Sequence, residues 1–101
     1  MAVTFVRSGL MMPGKYKEAM QWVENRNKWL KETFGTDPVL QVLLGGPVGR
    51  IAIASQHDSV AQIEEIRRKL VSGVEPDEIS LARGDFFVPG KSRDRIWLQM
   101  D

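Results

Sequence analysis

The chain has 101 residues, 43% of them hydrophobic, enough for one domain spanning residues 1–101 around one core and too few for a second. Fourteen basic and thirteen acidic residues leave a net charge of +1, so no cationic excess exists to neutralise a row of phosphates and nucleic acid is not an expected partner. The absence of cysteine excludes a disulfide framework, thiol catalysis and thiolate metal sites.

Met1-Ala2-Val3-Thr4-Phe5 places no basic stretch before an apolar segment, and no run approaches the ~18 apolar residues of a membrane span. The expectation is a cytoplasmic protein with no membrane partner. The first predicted element is a strand over Val3 to Met11, apolar at nearly every position except Arg7 and Ser8 and ended by Pro13-Gly14. A helix follows from Lys15 to Phe34, with Tyr16, Ala19, Met20, Val23, Leu30 and Phe34 on one stripe and Gly35 as its stop. Val39 to Leu44 forms the second strand, and the Gly45-Gly46-Pro47-Val48-Gly49 loop turns it back into a third from Arg50 to Ser55 or Gln56. Helix two, Val60 to Val71, starts at a capping box of Ser59 and Gln62 and buries Val60, Ile63, Ile66 and Leu70. Residues 74–92 read mostly as loop, with a helical turn after Pro76 and a brief strand at Phe86-Phe87-Val88, before a last strand from Arg95 to Met100 with a clean period of two.

The order βαββαβ predicts a ferredoxin-like α+β fold, a four-stranded antiparallel sheet with two helices on one face. Its other face is then bare, yet both parities of strands two and three are apolar: Leu40, Val42 and Leu44 against Val39 and Leu43, Ile51 and Ile53 against Ala52 and Ala54. An exposed patch of that kind exceeds what monomers leave uncovered, and at ~25 cal/mol per Å² its burial is worth several kcal/mol. The economical answer is a homodimer with the sheets face to face; the alternative is a monomer in which residues 74–92 fold over the bare face.

Few side chains suggest chemistry. His57 is the sole histidine and the natural general-base candidate for a catalytic residue, although His57-Asp58-Ser59 also reads as a turn and cap. One histidine without cysteine makes no ordinary metal site. Asn27 sits within the apolar stripe of the first helix and needs a partner there, either a protein group or water, or else a ligand. Trp22 and Trp29, with Arg26 between them, lie off that stripe and suit packing against residues 74–90 or a ligand wall with a cation–π contact. Arg7, on a central strand, must be paired. If it shares a face with Gln41, Arg50, Gln56, Arg95 and Gln99, that face is the dimer interior and Arg7 joins a network across the two-fold axis; the sharper reading is a site for an anionic carboxylate or enolate, and Asp85, Asp94, Glu64 and Glu65 are its possible partners.

The strand ending Leu10-Met11-Met12-Pro13-Gly14-Lys15 and running into an amphipathic helix, Arg7 before it, the hairpin between strands two and three, and Pro89-Gly90-Lys91-Ser92-Arg93-Asp94 before the last strand span most of the chain. In order and spacing they resemble the dimeric α+β barrel superfamily, with its antibiotic-biosynthesis monooxygenase-like and NIPSNAP-like proteins. The resemblance implies a homodimer whose sheets close into a barrel, with a small-molecule pocket between sheet and helices. It does not choose a reaction, because activities in that superfamily are diverse. The Asn, Trp and His of its haem-degrading branch have no counterparts here, so no haem or other cofactor is expected.

The resulting expectation is a homodimer that binds a small apolar or aromatic organic molecule through Arg7, Asn27 and Trp22. One alternative is a cofactor-independent monooxygenase-like enzyme in which His57 deprotonates a substrate that itself activates oxygen, while Arg7 or Asn27 holds the oxyanion. A second is a ligand-free structural or stress-related dimer.

Overall fold

A computed structural model describes residues 2–46 and 48–100. Its elements are β1 (Val3–Leu10), α1 (Tyr16–Phe34), β2 (Val39–Val42), β3 (Arg50–His57), α2 (Val60–Val71), the single-turn α3 (Asp77–Ser80), a 3-10 turn (Leu81–Asp85) and β4 (Arg93–Leu98). The strands form one antiparallel sheet in the order β2-β3-β1-β4, the expected ferredoxin-like arrangement.

Pairing with the central strand sets the ends of its neighbours. β1 pairs with β3 from Val3↔His57 to Leu10↔Arg50, so β3 runs on to His57 and carries that residue inside the sheet, not in a turn after it. β4 occupies Arg93–Leu98, shifted from the expected 95–100, because its rungs stop where β1 starts: Val3 faces Leu98, and only Gln99 N continues, donating to Ala2 O at 3.0 Å. β2 ends at Val42, and one more backbone bond, Leu43 N to Arg50 O at 3.1 Å, precedes the glycine-rich reversal. Gly49 closes that reversal at φ 89°, and a Cβ there would meet the Tyr16 hydroxyl at 2.7 Å.

Cross-strand partners share a face. Val3, Phe5 and Arg7 therefore stand with Ile53, Ser55 and His57 and with Asp94, Ile96 and Leu98. This is the helix-covered face, where Ala19 and Val23 of α1 pack on Met11 and Ile51 as the buried core. Thr4, Val6, Ser8, Ala52, Ala54, Gln56, Arg93, Arg95 and Trp97 stand on the opposite face, as do Arg50, opposite Leu10, and Gln41, opposite Ala52. Arg7 is thus under the helices and not beside Gln41, Arg50, Gln56 and Arg95; residue polarity was a poor guide to face, and register decides it.

The buried stripe of α1 is Ala19, Val23, Arg26 and Leu30, at steps of four, three and four. Arg26 belongs to the stripe, a correction to its expected place beside it. Gly35 ends the helix in the left-handed conformation, its N–H donating to Lys31 O at 2.9 Å. At the start of α2, Ser59 Oγ accepts from Gln62 N at 3.2 Å, and the Gln62 side chain answers one residue earlier than a strict capping box, accepting from Asp58 N at 3.0 Å.

Residues 74–88 lie on the helix side of the sheet. Phe87 sits above Gly9, where a Cβ would find its ring at 3.3 Å, and packs edge-on against Trp22 with centroids 5.5 Å apart. The expected brief strand is reduced to a bridge between Met11 and Phe87, flanked by Met12 N to Phe86 O and Val88 N to Leu10 O. This placement overturns the alternative in which the segment covers the bare face, which stays open with Trp97 59% and Val39 53% exposed.

Candidate ligand cavity

The core of Met11, Ala19, Val23 and Ile51 fills one end of the space between α1 and the sheet. Toward the other end the side chains no longer close the gap, and a cavity of about 630 Å³ opens. Its sheet side is Phe5 and Arg7 of β1, Ile53, Ser55 and His57 of β3, and Asp94 of β4. Arg26 and Leu30 of α1 line it from one helix, and Ile63, Ile66 and Leu70 of α2 from the other. The apolar stripe predicted for α2 thus faces a hollow as much as a packed core: Ile63 is buried, Ile66 and Leu70 are only half-buried, and Val60, expected to be buried with them, is exposed at the start of the helix. Gly73, Glu75, Asp77, Ser80 and Arg83 complete the lining from the segment after α2.

Four arginines line this largely apolar space, in two clusters. Arg7 donates through Nε to Asp94 Oδ1 at 2.8 Å and through Nη2 to Oδ2 at 2.9 Å, a bidentate pair; Arg67 of α2 adds Nη2 to Oδ2 at 2.8 Å. Asp94 was among the partners weighed for Arg7, but the pair forms within one chain beneath the helices. The hydrogen-bonded Arg7 guanidinium holds the Asp94 carboxyl below its usual range against the opposing effect of burial, with the charges of Arg7 and Arg67 adding to it. The second cluster centres on Glu75, whose side chain is 7% exposed: Oε1 accepts from Arg26 Nε at 3.1 Å and from Arg83 Nη2 at 3.4 Å.

His57 is buried at the cavity wall. Its Nε2 is hydrogen-bonded to Ser55 Oγ at 2.8 Å, in the direction its tautomer dictates, and Nδ1 is buried with no hydrogen-bond partner among the described residues. Burial pushes the imidazole below its ordinary value, with Gln62 and Asp58 pulling the other way, so the ring is neutral near pH 7. In the tautomer whose Nε2–H donates to Ser55 Oγ, Nδ1 is a free acceptor, as a base requires.

Of the residues singled out in the sequence, Arg7 and His57 line the cavity, while Asn27 and Trp22 are outside its lining. Asn27 Oδ1 is buried and accepts no hydrogen bond from protein among the described residues. Trp22 packs against the segment after α2, as one of its two readings held, with Nε1 donating to Ile79 O at 2.9 Å. The guanidiniums of Arg26 and Arg83 lie 6.0 and 5.6 Å from its ring centroid. Trp29 instead meets Phe34 edge-on. Sequence reasoning missed the Arg26–Glu75–Arg83 cluster. The 19-23-26-30 spacing held the signal for Arg26, but Glu75 and Arg83 belong to a segment whose irregular pattern gives no face to read.

Among the described residues, no group of three His, Asp or Glu side chains is placed to hold a metal ion. No helix among them is long and apolar enough to cross a membrane.

No family model matches this sequence, and no curated protein matches it. Its fold, by contrast, is shared by solved structures. A NIPSNAP family protein from Agrobacterium tumefaciens superposes with a TM-score of 0.81 at 18% identity, over 100% of this chain and 95% of that one. An uncharacterised NIPSNAP domain protein from Burkholderia xenovorans gives 0.79 at 8% identity, over 97% and 94%. A Bordetella bronchiseptica protein assigned provisionally as an antibiotic biosynthesis monooxygenase gives 0.75 at 14% identity, over 98% and 97%. The structural neighbours are thus NIPSNAP and antibiotic-biosynthesis monooxygenase-like proteins, and at these identities the likeness is one of fold.

Proposed function

We propose that this chain is a cytoplasmic homodimer that holds a small apolar or aromatic organic molecule between its sheet and helices. The observation that carries this reading is the cavity of about 630 Å³, a volume within the ~300–1,000 Å³ range of small-molecule sites, with Phe5, Leu30, Ile53, Ile63, Ile66 and Leu70 as an apolar lining and a few polar groups set among them. The dimer is supported by the uncovered sheet face, on which Trp97 and Val39 are more than half exposed. Calorimetric titration with a panel of small aromatic and aliphatic compounds is expected to find at least one that saturates at one site per chain with a Kd below about 1 mM. Sedimentation of the same sample is expected to give twice the 11.4 kDa chain mass. A silent panel refutes the ligand, and an 11.4 kDa species at micromolar concentration refutes the dimer.

A second reading, cofactor-independent oxygenation, is favoured by one observation: His57 presents a buried imidazole at the cavity wall whose Nδ1 has no hydrogen-bond partner among the described residues. Both Asp94 oxygens engage Arg7, so Arg7 is poorly placed to hold an oxyanion as well. Oxygen uptake with phenols and quinols tests this reading. The expected result is consumption that falls at least ~100-fold in His57→Ala, and uptake unchanged by that substitution removes His57 as the base.

A further inference from the structure

The charges lining the cavity do not balance locally. Arg7 and Arg67 share both oxygens of Asp94 through three short bonds of 2.8 to 2.9 Å, so each of these two cations, although one positive charge remains between them, is well hydrogen-bonded to the carboxylate. Glu75 is shared less evenly. Its Oε1 accepts Arg26 Nε at 3.1 Å in a pair whose side chains are each only 7% exposed, whereas Arg83 reaches the same oxygen at 3.4 Å. That long contact is the only hydrogen bond the Arg83 side chain makes among the described residues, although a guanidinium carries five N–H donors. The remaining acid of the lining, Asp77, is exposed and is paired with none of the four arginines.

We propose that the molecule held in the cavity carries one anionic group, a carboxylate in the plainest case, and that Arg83, backed by Arg26, receives it while the apolar body lies over Phe5 and Ile53. This assignment rests on the ligand reading above and names its chemical class. It moves the anion site away from Arg7, which Asp94 already satisfies in bidentate geometry, to the guanidinium with the poorest protein partner. Arg83 is suited to the role in three ways. Its side chain is 44% exposed, so a ligand reaches it without breaking a buried pair. Its guanidinium lies over the Trp22 ring, 5.6 Å from the centroid, a cation–π contact that holds the group beside the cavity. Burial and the neighbouring charges of Arg26 and Arg7 all disfavour its cation, and a bound anion relieves that crowding. Glu75, sharing one oxygen between Arg26 and Arg83, holds the pair in place without neutralising it.

Two matched probe pairs test the assignment by calorimetry: 2-naphthoate against naphthalene-2-methanol, and octanoate against 1-octanol. In each pair the apolar body is common and only the charge differs. The wild-type protein is expected to bind at least one acid about ten-fold or more tightly than its alcohol, the equivalent of one charge-assisted hydrogen bond. Arg83→Gln, at a half-exposed position, is expected to lose that preference while its affinity for the alcohol changes by less than about two-fold, and Arg83→Lys to retain part of it. Equal binding of acid and alcohol by the wild type, or a preference that survives in Arg83→Gln, overturns the anion assignment and leaves the ligand reading standing. If none of the four probes binds, both are overturned.

Discussion

Glu75→Gln is expected to cost about 3–5 kcal/mol of unfolding free energy, read as a drop in the urea midpoint with the slope unchanged. Glu75 and Arg26 are each 7% exposed at the side chain, and among the described residues no other carboxylate is within bonding distance of Arg26. Glutamine keeps the shape and one acceptor oxygen but removes the charge, leaving the Arg26 guanidinium buried on α1 without a counter-ion and Arg83 without its one acceptor carboxylate. For a domain with roughly 5–15 kcal/mol of total stability, a loss of that size is a large fraction of the whole. The pair as a unit is worth far less than either partner alone, because both charges were desolvated to make it. Replacing both residues, Arg26→Met with Glu75→Leu, should therefore recover most of the loss. The coupling in that double-mutant cycle is the decisive number: a single-site cost below about 1 kcal/mol with no coupling would mean that water in the cavity already screens both charges.

This cluster also marks the limit of what the sequence could tell. The order of strands and long helices and the caps at Gly35 and Ser59 are written in local patterns and are found as read, whereas the ends of β2, β3 and β4 are set by pairing and differ from the pattern by one to two residues. Arg7 was legible as a charge needing a partner but not as a residue of the helix face. Its face depends on register with β3, and its partner Asp94 seemed to lie in a loop before the strand it belongs to. Arg26 shows a different failure: it reads as lying off the buried stripe with Trp22 and Trp29, although it completes the 19-23-26-30 spacing, and the Glu75 that makes its burial tenable comes from an irregular segment 49 residues away. Hydrophobic patterning reads which residues leave water. It does not read whether they meet one another, so the α2 stripe of Ile63, Ile66 and Leu70 announced a packed core where there is in part a cavity.

Asp94→Asn is the second large effect, and its signature is in pH. The Arg7 hydrogen bonds hold the Asp94 carboxyl below its usual range in the folded protein, so the unfolded chain binds this proton more readily than the native one. Its contribution is therefore fully present above the ordinary carboxylate value of about 4 and is lost as pH falls through the depressed folded value. At pH 7 the variant should be about 1–3 kcal/mol less stable than wild type, the range for charge-assisted hydrogen bonds at a half-buried site, since Arg7 is 34% and Asp94 29% exposed at the side chain. On acidification the two unfolding curves should converge, because protonation does to the wild type what the substitution has already done to the variant. A stability gap constant from pH 7 to pH 2 would show that asparagine acts through packing or strand pairing instead of charge. The same variant also separates the two arginine clusters. It frees Arg7 and Arg67 while leaving the Glu75 cluster intact, so acid binding that depends on Arg83 should persist in it or strengthen, whereas a ligand anion seated on Arg7 against Asp94 would bind in an altered way.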